Sequence, residues 1–292
     1  MKFQIAIVYF AITVRDSSSK SKGDTIVNLK RVFILFILTV VVCTAGTFSG
    51  KAQNGVPTGP YRNPSEVNID RLVRKTFRDY FPRGRYEQLG AESFFPIGWS
   101  KDGKIAFYTE PVDEACHCYF AELYILDLKN DKILWSINYN SDFLDEAKKE
   151  KRPYDLETLW QSKRELFSEN LSKHQIEPQG RFAVLSFPLR YNGDLLSTNI
   201  NILENRDEES RPYGVVRKAT LQLRSKRSGK KTLSETSYPE PMPLDVRVLG
   251  YIKSPFEQRI GVVLLEVKRG YEGPPHTGHI MIVGATLNTG FK

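Results

Sequence analysis

Cysteine, histidine and the usual catalytic signatures are scarce in this chain. Its 292 residues include three cysteines and four histidines, so a histidine-centred active site has few options. There is no Gly-x-Ser-x-Gly elbow, no phosphate-cradling glycine loop, no His-Glu-x-x-His helix and no dinucleotide fingerprint. No stretch interleaves basic and aromatic residues as nucleic-acid binding does, so nucleic acid is not an expected partner. After residue 52 no apolar run reaches the ~20 residues that span a bilayer. Only paired carboxylates escape this screen, because their spacing is spatial and not sequential.

The N-terminal region carries a different signal. Lys30-Arg31 precedes fifteen uncharged residues, Val32 to Gly46. A short basic region, an apolar run and then small residues form a secretory signal, with cleavage expected near Ala45–Ala52. The competing reading is an uncleaved anchor, which would be the chain's one contact with a membrane. A second apolar run, Phe3 to Val14, lies upstream, and two signals in series make little sense. Translation is therefore expected to begin near Val27 or Leu29. Residues 1–53 read as leader, 54–64 as linker and 65–292 as one domain.

Removing the leader changes the charge. Taking its seven Lys/Arg and two Asp/Glu from the chain's 42 and 34 leaves 35 and 32. The net charge falls from +8 to about +3, a modest bias for this size.

Downstream, Ser65 opens a helical pattern with Ile69, Leu72, Val73 and Phe77 at helical spacing, stopped by Pro82-Arg83-Gly84. From Ser93 the period becomes two. Asp102-Gly103 between two such runs is a hairpin signal, because glycine accepts the positive φ the turn requires. Further strands are expected at 118–127, 133–138, 181–190, 195–203, 213–224, 244–251 and 280–285. Residues 143–173 read as a helical insert. Trp99 and Trp135 are expected on one sheet face, and the basic run 224–231 as an exposed hairpin tip. Residues 98–107 are echoed at 250–263, which suggests one sheet unit near each end of the domain. The fold class is mainly β: antiparallel, propeller-blade-like sheet units with an N-terminal helix and a helical insert.

The run Gly98-Trp99-Ser100-Lys101-Asp102-Gly103-Lys104-Ile105-Ala106-Phe107 resembles the strand-turn-strand of WD40-like propeller blades of the periplasmic type. With Ser254-Pro255 and Arg269-Gly270-Tyr271-Glu272-Gly273-Pro274, it is also similar to a group of secreted bacterial proteins of unknown function. The resemblance implies a location and a fold type, and no substrate.

Two loops gather polar chemistry. Asp113, Glu114 and His117 follow one strand; Tyr271, Glu272 and His276 lie in a Gly/Pro-shaped loop before another. Loops at one end of a rigid β scaffold are where binding sites sit. In an oxidising compartment Cys116 and Cys118 are either a strained disulfide or a pair of thiols. The triplet Cys116-His117-Cys118 alone falls short of the about four ligands zinc takes, so no metal and no cofactor are expected. These features point to an exported binding or scaffolding protein of a bacterial periplasm or secretome, whose partner is an envelope protein or a small ligand. The alternative is a periplasmic hydrolase using loop carboxylates.

Overall fold

The computed structural model describes residues 61–113, 117–143, 152–209 and 211–292. The leader and most of the linker expected at 54–64 lie outside them. The elements are α1 (Asp70–Thr76), β1 (Leu89–Ala91), β2 (Ser93–Trp99), β3 (Lys104–Glu110), β4 (Phe120–Asp127), β5 (Lys132–Asn140), α2 (Leu156–Ser162), α3 (Arg164–Lys173), β6 (Glu177–Pro178), β7 (Leu189–Tyr191), β8 (Asp194–Glu204), β9 (Val216–Ser225), β10 (Gly229–Ser237), β11 (Asp245–Lys253), β12 (Arg259–Lys268) and β13 (His276–Thr286).

The chain is mainly β. It forms three up-and-down sheet units, built like propeller blades, with a helix before them and helices inserted within the first unit, between β5 and β6. Strand orders are β5-β4-β3-β2-β6, β10-β9-β8-β7 and β1-β13-β12-β11. Every pairing is antiparallel except β1 with β13, which is parallel. The sequence echo suggested two units; β7–β10 makes a third between them.

Burial follows position in the stack. The β1-β13-β12-β11 sheet is central. One of its faces packs Val263, Leu265 and Ile282 against Phe94, Trp99, Ile105 and Phe107 of the β2–β5 sheet. Its other face packs Val262, Leu264 and Val283 against Leu196, Leu221 and Leu223 of the β7–β10 sheet. Strand β12, covered on both sides, is buried from Arg259 to Val267, as a fully internal strand must be. Strand β9, covered on one side, alternates. The β2–β5 sheet turns its second face to α2 and α3, burying Phe95, Ile97, Tyr108 and Leu123 against Leu159, Trp160, Phe167 and Leu171. Among the described residues no helix packs on the outer face of the β7–β10 sheet, whose β8 side chains are largely exposed or half-buried.

Several expectations shift in detail. The first helix begins at Asp70, because the Val67 N–H donates to the Phe94 carbonyl at 2.8 Å and ties the preceding residues to β2 instead of to the helix. Ile69, Val73 and Phe77 are buried as the spacing predicts. Residues 181–190 contribute only β7 and an isolated bridge from Leu185 to Tyr251. Trp99 is fully buried, whereas Trp135 is half-buried on the opposite face. Tyr61, at the end of the expected linker, is buried, and its hydroxyl donates to the Ile176 carbonyl at 2.9 Å.

Candidate functional site

Because β1 and β13 run parallel, with Leu89 opposite His276, the loops entering them emerge at the same end of the central sheet. The His276 N–H donates to the Gln88 carbonyl at 2.8 Å, fastening one loop to the other. Within its loop His276 is fixed by the Gly270 N–H donating to Nδ1 at 3.3 Å, and by the Tyr80 ring, edge-on at 6.1 Å. Burial pushes the Tyr80 phenol up to about 12, so it stays neutral. Outside this anchored base the loops project side chains into solvent: Tyr86 is 96% exposed and Tyr271 84%, with Glu272 exposed beside it. A third tyrosine joins them. Arg269, just before this loop, lays its guanidinium 4.7 Å over the ring of Tyr213, itself 60% exposed.

The other predicted cluster reaches the same strand pair from the far side. Val112 rests over Gly90, its Cγ2 3.4 Å from where a β-carbon would stand, and Gly90 pairs with Thr277. Beyond Val112, His117 Nδ1 lies 4.0 Å from Asp113 Oδ2, with the imidazole fully exposed. Glu114 and Cys116 lie outside the described residues. Cys118 is disulfide-bonded. The structure thus pairs Asp113 with His117, packs His276 against Tyr80, and leaves Tyr271 and Glu272 on the surface.

Between the two loops is a polar relay that sequence reasoning missed. His279 Nδ1 sits 2.5 Å from Glu92 Oε1, and its Nε2 faces Thr277 Oγ1 at 3.3 Å. Glu92 is almost fully buried, and its second oxygen accepts from the Ile280 N–H at 3.2 Å. Glu266, also buried, stands opposite His279 in the β12–β13 register. A carboxylate on Nδ1 orients the imidazole so that Nε2 addresses a hydroxyl, an arrangement able to hold or move a proton. Its members lie 187 residues apart in sequence, and no local motif announces them.

A second network lies on the helix-covered face. The Tyr119 hydroxyl donates to Glu110 Oε1 at 2.6 Å and also meets the Tyr108 hydroxyl. Burial raises the Glu110 carboxyl above its ordinary range, and the Tyr119 hydrogen bond only partly offsets this. Burial likewise raises both phenols.

Two cavities among the described residues lie elsewhere. One of about 700 Å³ opens between residues 61–67 and 178–182, and one of about 340 Å³ lies at the tips of the β7–β8 and β9–β10 hairpins. Among the described residues no group of three or more His, Cys, Asp or Glu side chains is placed to hold a metal ion, and no helix is long and apolar enough to cross a membrane. No family model matches the sequence, and no curated protein or solved structure matches it either.

Proposed function

We propose that this chain is an exported cell-envelope protein that binds a partner protein through the tyrosine-bearing end of its central sheet. The observation that carries the reading is the exposure of Tyr86 and Tyr271 on loops anchored to a rigid strand pair, with the exposed Tyr213 stacked under Arg269 at the start of one of those loops. Tyrosine and arginine are enriched in protein interfaces, where a ring supplies contact area at little entropic cost. Burying about 150 Å² per ring at ~25 cal/mol/Å² yields roughly 11 kcal/mol gross. Against an association cost of about 4–15 kcal/mol, that suits a reversible contact. A small ligand would need a concave pocket, and the cavities above are lined by other residues. Export is supported by the basic-then-apolar pattern of Lys30 to Gly46.

The test is photo-crosslinking in the envelope fraction, with the cross-linker placed at Tyr271. A discrete protein adduct is expected, and it should disappear when Tyr86 and Tyr213 are changed to Ser. An adduct that survives those changes, or no adduct at all, refutes the reading.

The second reading, a periplasmic hydrolase, is favoured by the Glu92–His279–Thr277 relay rather than by the loop carboxylates. Hydrolysis of an activated ester that vanishes in His279→Gln, with stability kept, would establish it.

A further inference from the structure

The basic hairpin tip has a built environment. Strand β7 turns into β8 through Asn192 and Gly193, both at positive φ (46° and 72°). The missing side chain at Gly193 leaves room for Arg227, whose Nη1 lies 3.6 Å from where a β-carbon would stand. Register then aligns the charges. Arg190 pairs with Leu195, and the Lys226 N–H donates to the Leu195 carbonyl at 3.4 Å, so Arg190 and Lys226 flank Leu195 in one row. In the next row Arg224 stands between Ser197 and Lys230. All of these lie on the face opposite the buried Leu189, Leu196 and Leu223.

The cavity of about 340 Å³ at this corner is lined by Arg190, Lys226 and Arg227 and by one carboxylate, Asp194. That carboxylate is engaged within the turn. It accepts from the Ser225 hydroxyl and from the Leu195 N–H at 2.7 Å, and the Ser225 hydrogen bond, the larger cause, holds it below the usual carboxylate range. Among the described residues none of the five cations is in an ion pair within 4.0 Å. Beyond them the face continues as amides and hydroxyls, Asn199 opposite Gln222 and Asn201 opposite Thr220, and ends where Thr220 pairs with Glu235, whose carboxylate is neutralised by Lys218 at 2.5 Å. From Leu195 to Asn201 this strip runs ~20 Å at ~3.4 Å per residue.

We propose that this corner and the strip behind it form a binding site for an anionic glycan. Its phosphate, sulfate or carboxylate groups sit among Arg190, Lys226 and Arg227, and its hydroxyls meet the amide strip. Arginine forks match oxyanions in two parallel hydrogen bonds, and sugar hydroxyls need the mixed donors and acceptors that Asn and Gln supply. Tyr213 and Lys226 flank β9 at opposite ends, so this site is separated from the tyrosine-bearing loops by about 30 Å of strand. It stands or falls independently of that reading.

The test uses the full chain with dextran sulfate, neutral dextran of equal mass, phosphatidylglycerol vesicles and duplex DNA as probes. Dextran sulfate is expected to bind, with salt and inorganic phosphate both weakening it, and neutral dextran is expected not to bind. Changing Arg190, Lys226 and Arg227 together to Ser should weaken dextran sulfate by about tenfold or more without shifting the thermal melt, since all three are exposed. Changing Lys129, Lys132 and Lys163 to Ser, elsewhere on the surface, should alter it less than about twofold. Unchanged affinity in the tip variant, an equal loss in the control, no binding at all, or tighter binding of DNA or vesicles would each overturn the proposal.

Discussion

Replacing Gly284 by alanine is expected to damage this protein more than any other change of one methyl group. Gly284 lies in β13, where the turn after β4 crosses the central sheet. A β-carbon there would stand 2.7 Å from the Leu128 carbonyl carbon and 2.9 Å from its Cα, with the carbonyl oxygen closer still. Optimal carbon contacts lie near 3.5 Å, so one backbone must retreat by close to 1 Å. The Leu128 carbonyl is not free to do so. It accepts from Arg259 Nη1 at 2.8 Å, the Leu128 N–H donates to the Gly103 carbonyl at 3.1 Å, and its side chain is buried. The Gly284 N–H itself donates to Asp131 Oδ1 at 2.7 Å, a carboxyl whose pKa burial raises. Overpacking costs about 1–3 kcal/mol, and losing a hydrogen bond from a buried charged group such as Arg259 adds about 1.5–3 kcal/mol. Gly284→Ala should therefore lose roughly 3–5 kcal/mol in urea titrations, a fall in Tm on the order of 10 °C. Gly180→Ala is the control: nothing lies within 4 Å of its β-carbon position, so the change should be neutral or gain up to about 1 kcal/mol. A loss under about 1 kcal/mol for Gly284→Ala would refute the docking of this turn on the central sheet.

Three further outcomes follow from burial and charge. Trp99→Ala should cost about 3–5 kcal/mol, whereas Trp135→Ala, half-buried, should cost about 1–2 kcal/mol; equal losses in chemical denaturation would contradict their placement on opposite faces. Burial raises the folded pKa of Glu110 above its unfolded value, so its contribution is full below the ordinary carboxylate range, ~4.3, and is lost as pH rises through the folded value. The stability difference between the parent and Glu110→Gln should accordingly move in favour of Glu110→Gln between about pH 4 and pH 7; a flat difference would contradict the burial argument. Glu92→Ala strands the His279 imidazole and the Ile280 N–H and should cost about 2–4 kcal/mol. Glu92→Gln keeps the acceptor for Ile280 and should cost less, which thermal melts of the two would compare.

What could be read in advance was what local pattern encodes. The Asp102-Gly103 hairpin forms as expected, with Gly103 at φ 90°, and the β13 loop with Tyr271, Glu272 and His276 lies at a sheet end. What could not be read depends on parity and on distance. The bulge between Ile125 and Leu126 inserts Leu134 into β5, and a single slip reverses the face, so Trp135 lands opposite Trp99. Strand β10 reads Gly-Lys-Lys-Thr-Leu-Ser-Glu-Thr-Ser with one apolar residue. It is an edge strand held by its register to β9, and hydrophobic alternation cannot reveal it. Strand β1 has three residues and no pattern of its own. Glu92 and Tyr86 gain meaning only once β1 is laid beside β13.

That pairing also explains how the tyrosine-bearing end of the central sheet is built. A three-residue parallel strand adds little stability of its own, yet it brings residues 86–92 to residues 271–279, the first and last parts of the domain. Tyr86 beside Tyr271, the His276 anchor and the buried Glu92–His279 contact all depend on it. The central sheet that β1 joins is itself held in place by the two units packed on its faces. Removing β1 or β13 by truncation is therefore expected to separate the Tyr86 and Tyr271 loops. The cationic corner is different in kind. Its charges come from two adjacent hairpins of one sheet, with Gly193 and Asp194 setting the geometry locally, so it tolerates changes at β1 that the tyrosine surface does not.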